Sequence, residues 1–499
     1  MQLDAMIAGA SAPQVVPELP LYIGGVDPLG MRQLNFGLMD KCIPGLNNAA
    51  WRLRPYTLMA WSWWRVARLA EAAEMYEVPV AVARAFVDRV EVMFQAGHLA
   101  VGEYGSLPGA DGVRARILLP GGIDFSSATW RTWHGSRMDG ASLMAPVSYG
   151  PSVKEGLGMG YLRSTGGAFV PVDEVMPAVL SLDARLAPAL SHPALSSLEC
   201  GWVPLADMVA LHPLWSLSAL EPTEIEVGRA ALLGSGASAP RGATLDMVRA
   251  ILRGADRPLS AVDVRTVAAS RSIPGVDPAT ADLWRALQAR QLVRVSLEGL
   301  LNWVLAATSH GPRSMDDLAA DLLQEAGIDL ELNFGQWLAA PSLSAESVDY
   351  VASPVPLIDS IDGATQSDRP DLCLLGLRAA LTICRSMGAV EDLFGGVRDR
   401  LPMRWMAARL DGAGALPMYE AAELILSELV IGQHVFVAVG RSGDDTQRLR
   451  VVLDERGWVA LQGAGHANPT PDRLSTLLEL AADCKLIDRA GDRTYVATK

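Results

Sequence analysis

The chain has 499 residues, with 42 basic against 56 acidic side chains and a net charge of −14. That length exceeds one ordinary core and implies several domains. Half the residues are apolar and the mean hydropathy is positive, which excludes wholesale disorder, and the acidic balance disfavours a surface that tracks nucleic acid throughout.

Residues 1 to about 20 read as a Pro-rich extended arm; Asp4 and the lack of a basic leader do not fit a signal peptide. Tyr22 to Gly45 is punctuated by glycines and ends in the turn Pro44-Gly45. Asp40 to Tyr76 then holds four of the thirteen Trp and four Arg. The spacing predicts a helix over Thr57 to Tyr76. At ~100° per residue, Leu58, Met59, Val66, Leu69, Ala70, Ala73 and Tyr76 share a core stripe. Trp61, Trp64, Arg65 and Arg68 fall on the other face, which needs a partner. That partner is either another part of the chain or, as a binding surface, a protein or nucleic acid, with Arg52 and Arg54 supplying phosphate contacts.

A second helix is predicted over Pro79 to Gly97, with apolar repeats at Val82, Phe86, Val90 and Met93. Gly102 to Val170 is Gly/Ser-rich and reads as loops and short elements. Pro171 to Glu221 is helical with proline interruptions, and Leu232 to Ala243 reads as a small-residue linker. Helical signals at Leu245–Arg253, Ser260–Ala269 and Thr280–Gln291, then a strand at Leu292–Val295, resemble a helix-turn-helix or winged-helix unit. Ser314 to Asp371 carries twelve acids against one Arg and reads as a solvated acidic connection. Helices follow at Leu372–Gly388 and from Met418 to Val430 or beyond. At the C-terminus a strand-like Trp458–Leu461 precedes a capped helix reaching about Cys484, and strands Leu486–Asp488 and Thr494–Ala497 flank a Gly491-Asp492 turn. This helix plus hairpin reads as a winged helix's recognition helix and wing.

The expected fold is therefore mainly α and multi-domain, with small winged-helix-like α+β units. Four segments are expected: 1–170, aromatic and Arg-rich; 171–310, helical with the helix-turn-helix-like unit; 311–371, acidic connection; and 372–499, helical with a terminal winged helix. Catalytic signatures are sparse. The chain has no Gly-Lys pair, hence no Walker motif, and Gly156-Leu157-Gly158-Met159-Gly160 lacks dinucleotide spacing and reads as a flexible or tight-turn loop. There is no Gly-x-Ser-x-Gly elbow. Neither Cys-x-x-Cys nor His-Glu-x-x-His occurs, so no metal or cofactor is expected. Five irregularly spaced cysteines fit reduced thiols in the cytoplasm. No run approaches a membrane span; the nearest, Ala421 to Val439, contains Glu423, Glu428, Gln433 and His434.

Asp472, Asp483 and Lys485 match the written pattern of metal-dependent nucleases, in which two acids hold Mg²⁺ beside a Lys. The intervening residues carry a helical stripe, so Asp472 also reads as an N-cap and Lys485 as a partner of the helix C-terminus.

Ile43 to Trp64 (IPGLNNAAWRLRPYTLMAWSWW), preceded by Asp27-Pro28-Leu29-Gly30, resembles the opening of uncharacterised proteins from bacterial anti-phage defence and restriction-type gene clusters. Tyr149 to Lys154, with Leu157-Gly158, resembles a second element of those proteins. The resemblance implies an accessory component beside a separately encoded ATPase or nuclease. The reading that follows is a non-catalytic scaffold or sensor in a multi-subunit complex, whose N-terminal Trp/Arg face and C-terminal winged helix would recognise a partner protein or nucleic acid. A winged-helix DNA-binding regulator and a metal nuclease are the alternatives.

Overall fold

Amphipathic helices supply most of the core: 60% of the chain is helical and 8% strand. The computed structural model describes residues 27–103, 107–117, 121–270, 273–340, 349–387, 391–442 and 448–498; the arm expected over residues 1 to 20 lies outside them. The mainly α, multi-domain fold with small α+β units is the one expected. Two compact units are built from interleaved stretches, in place of the four consecutive segments expected. The first unit comprises Met39–Val264, Pro274–Thr280 and the residues from Pro471 on; the second comprises the described residues up to Leu38, then Arg265–Ile273 and Ala281–Thr470.

In the first unit the tryptophan helix spans Arg54–Ala72, beginning earlier than predicted because Pro55 takes a first-turn position. It ends before Tyr76, which is fully exposed rather than on the core stripe. Neighbours cover it on several sides: helix Val80–Ala100, helix Met176–Leu186 and the hairpin Leu162–Thr165/Ala168–Pro171. The expected linker Leu232 to Ala243 instead ends helix Pro222–Leu233, makes a short turn of helix at Gly236–Ser238 and opens helix Pro240–Arg253, with Leu232, Ser238, Arg241 and Gly242 buried. Arg241, fully buried, donates to five backbone carbonyls, those of Pro44, Leu157, Gly158, Ala231 and Leu232. One guanidinium thereby joins the Pro44-Gly45 turn to the Gly156–Gly160 loop, and burial pulls its pKa down to about 10.

Helix Pro240–Arg253, strand Leu259–Ser260 and helix Ala261–Ala268 are followed, more than two hundred residues on, by helix Leu474–Asp483 and the hairpin Ile487–Gly491/Thr494–Ala497. Leu259 and Ser260 pair antiparallel with Tyr495 and Thr494, and the final strand lies between the other two. Helix–strand–helix, then helix–hairpin, with the last strand central, is the winged-helix order. Part of the first expected winged-helix-like unit thus joins the second in one body, while its expected third helix and strand, Thr280–Gln291 and Leu292–Val295, lie in helix Pro278–Ala307.

In the second unit the expected strand Leu292–Val295 lies inside the 30-residue helix Pro278–Ala307. Leu292, Val293 and Val295 are all buried, as are Arg294 and Glu298, so this helix has little solvent face and its apolar runs lose the period that marks a surface helix. The acidic connection is also largely folded, as helices Met315–Glu325, Phe334–Ala339 and Val355–Gly363; residues 341–348 lie outside the described ones. Ser314 caps the first of these through the Asp317 amide at 3.0 Å, and Asp316 and Asp317 sit at its positive end. Met418–Arg441 forms one helix, π-helical over Ile425–Ile431, long and apolar enough to cross a membrane by length and composition; 56% of its apolar window is buried, and Ile425, Leu426, Leu429 and Val430 join the core of this unit.

Candidate ligand cavity

Helix Val80–Ala100 is buried along most of its length, yet it carries Asp88 and Glu91 one turn apart, each about 1% exposed. Both carboxyls line a cavity of about 200 Å³ whose other walls are Trp63, Arg84, Val87, Met144, Lys154 and Phe169. The tryptophan helix brings Trp63, and the hairpin sets Phe169 against it, edge to face with centroids 5.4 Å apart. Lys154 lies 5.4 Å from the Phe169 centroid, over the ring face. Arg84 donates to the Gly167 carbonyl at 2.9 Å.

The two acids share one permanent cation. Arg137, on helix Ala128–Gly140, donates from Nε to Asp88 Oδ1 at 2.9 Å, but its Nη2 stands 3.7 Å from Glu91 Oε2. His134 Nδ1 lies 2.8 Å from Asp88 Oδ2. Glu91 Oε2 accepts the Leu143 amide at 2.8 Å. Burial, reinforced by the charge of Asp88, pushes the Glu91 carboxyl up to about 8. Trp63 Nε1, Arg84 Nε and Arg137 Nη2 are buried without a hydrogen-bond partner. A cavity with convergent polar groups, orphaned donors and a displaced carboxyl is the arrangement a ligand site requires.

The expected binding residues separate. Trp61 is fully buried and donates from Nε1 to Asp183 at 2.9 Å. Arg54 is buried in an ion pair with Glu224 at 3.0 Å. Arg52 bonds Asp483 and the Leu217 carbonyl, each at 3.0 Å, and Arg65 donates to Leu195 O at 3.1 Å. Of the expected face, Arg68 is exposed and paired with Glu71 at 2.8 Å, its guanidinium 5.8 Å from the half-buried Trp64 ring. Sequence reasoning does not single out the cavity residues. The signal it offers is two acids one turn apart, flanked by Val87, Val90 and Val92, in helix Val80–Ala100.

Asp472 accepts the Leu474 amide at 3.2 Å, but the N-cap position expected of it falls on Arg473, which has φ +64. Asp483 is held by the Leu53 amide at 2.9 Å and by Arg52 and Arg489 at 3.0 and 2.8 Å. Lys485 is exposed with φ +56. The helix Leu474–Asp483 separates the two acids, where nuclease chemistry needs them converging on adjacent strands.

His98, Glu103 and His212 present ligand atoms within 4.8 Å of one another. His98 Nδ1 bonds the Phe94 carbonyl at 2.7 Å and its Nε2 accepts the Leu217 amide at 3.2 Å, so both ring nitrogens are occupied. His212 and Glu103, 3.0 Å apart, leave two donors, short of the three that protein zinc sites use.

Comparison with protein-family models, curated proteins and solved structures finds no match to this chain.

Proposed function

We propose that this chain is a non-catalytic sensor subunit that binds a small molecule in the cavity between Trp63 and Glu91 and works beside partner proteins. The observation that carries this reading is the cavity itself, where buried acids, orphaned donors and an aromatic wall converge on space for a ligand. The segments that resemble defence-cluster proteins contribute two of the eight lining residues: Ile43–Trp64 supplies Trp63, and Tyr149–Lys154 supplies Lys154. That resemblance supports a cytoplasmic complex in which a separately encoded ATPase or nuclease performs the chemistry.

Co-expression with the neighbouring genes, followed by thermal shift of the purified assembly against a broad metabolite library, tests both parts. We expect defined co-purification and at least one small-molecule class that raises Tm. Loss of both outcomes, with the chain folded, would overturn the proposal.

A winged-helix DNA-binding regulator is the second reading, favoured by the strand order of the composite unit. Against it, the helix in the recognition position is almost wholly buried, with only Ser475 and Glu479 partly exposed. Regulators of this kind reach bases and phosphates with exposed, often basic side chains on that helix. Duplex DNA retained at low salt in a gel shift, and released as salt rises, would favour this reading.

A further inference from the structure

We propose that the cavity takes a zwitterion the size of an amino acid, its ammonium at Glu91 and Asp88, its carboxylate at Arg84 and Lys154, and an apolar or aromatic body against Trp63 and Phe169. This rests on the ligand-binding reading above and names the ligand class.

Three observations lead there. The first is a charge deficit at the floor. Two carboxyls share a single guanidinium, and that guanidinium is committed to Asp88 at 2.9 Å while standing 3.7 Å from Glu91. A buried carboxylate without its own counter-ion holds a proton instead, and an ammonium arriving at Glu91 supplies the missing charge in place of that proton. The second is a surplus of opposite sign in the remaining lining. Among the described residues neither Arg84 nor Lys154 forms an ion pair with an acid, and the buried Trp63 Nε1 is a further unpartnered donor suited to a carboxylate oxygen. The third is size. About 200 Å³ is below the roughly 300–1,000 Å³ of drug-sized pockets, which favours a single amino acid over an enclosed nucleotide.

Proton linkage follows. The charged groups around Glu91 are Asp88 and Arg84 on its own helix, Arg137 with the Leu143 amide, and Lys154 across the lining; His134 lies beyond Asp88. With Glu91 pushed up to about 8, ammonium binding near pH 7 releases a proton, and affinity rises with pH through that range.

The probes are the twenty proteinogenic L-amino acids, with 3-phenylpropionate and phenethylamine as controls lacking one charge each. Titration calorimetry of the full chain in buffers of different ionisation enthalpy gives affinity and proton count. We expect an amino acid with an apolar or aromatic side chain to bind, with at least a tenfold loss when either charge is removed. Release of close to one proton at pH 7 should disappear in Glu91→Gln, and Arg84→Ala with Lys154→Ala should weaken binding at least tenfold without altering proton release. If 3-phenylpropionate binds as tightly as the amino acids, or another metabolite class binds while amino acids do not, the zwitterion assignment falls and the sensor reading stands. If the broad library also yields no ligand for a folded chain, the cavity reading falls with it.

Discussion

Arg54 and Glu224 meet at 3.0 Å with neither side chain exposed, and burial lowers the pKa of the first and raises that of the second. Both shifts run toward neutrality, so desolvation opposes what the pair gains by attraction. Removing one partner leaves the other as an uncompensated buried charge. Arg54→Met should therefore cost about 3–5 kcal/mol, and adding Glu224→Leu should restore much of that loss. Urea unfolding of both variants checks this; a double variant no more stable than the single would show that the pair is net stabilising. Sequence identifies Arg54 as unusual but does not distinguish a phosphate contact from an ion pair, because Glu224 lies far along the chain. Glu91 is hidden for a different reason: Val90 and Val92 flank it in the chain, and only the fold brings it and Asp88 to the floor of a cavity.

At the scale of elements, the Pro44-Gly45 turn shows why a loop can be as constrained as a core. Gly45 has φ +71, and a Cβ there would lie 1.7 Å from the Leu157 carbonyl oxygen. Gly37, within helix Arg32–Cys42, has nothing within 4 Å of the place its own Cβ would take. Gly45→Ala should cost about 3 kcal/mol or more through strain and clash, while Gly37→Ala should be neutral or stabilise by about 0.5–1 kcal/mol. Chemical-denaturation midpoints decide; equal effects would remove the close approach as the cause. Helices whose apolar residues recur at helical spacing between clear end signals, such as Val80–Ala100 and Leu474–Asp483, are legible in the sequence to within a few residues. Leu292–Val295 is not, since a short apolar run in a fully buried helix has the same local pattern as a strand. The glycine-rich Gly156–Gly160 reads from its composition as either a flexible or a tight-turn loop, and only the fold shows it held against the Gly45 turn and Arg241.

For the whole molecule, pH acts through buried groups of opposite sense. Burial pushes His98 and His434 down to about 4, below the ~6.5 of an exposed histidine. Between those values the unfolded chain takes up protons that the folded chain refuses, so stability falls as pH drops from about 6.5 to 4, by up to about 3 kcal/mol per histidine. Glu91 runs the other way: its contribution is complete below about 4.5 and is lost as pH rises through 8. Unfolding midpoints at pH 6.5, 5.5 and 4.5 should decline, and His434→Gln, which can still meet the Pro28 carbonyl and the Arg450 amide, should flatten that decline; an unchanged slope would clear His434 of the role. The winged helix is legible as two fragments and not as one body, because no local pattern reveals that Leu259 pairs with Tyr495. That pairing sets a clock on synthesis. At about 5–20 residues per second, the strand at Leu259 waits roughly 10–50 s for its neighbour to be made, and the first unit cannot close until Tyr495 has left the ribosome.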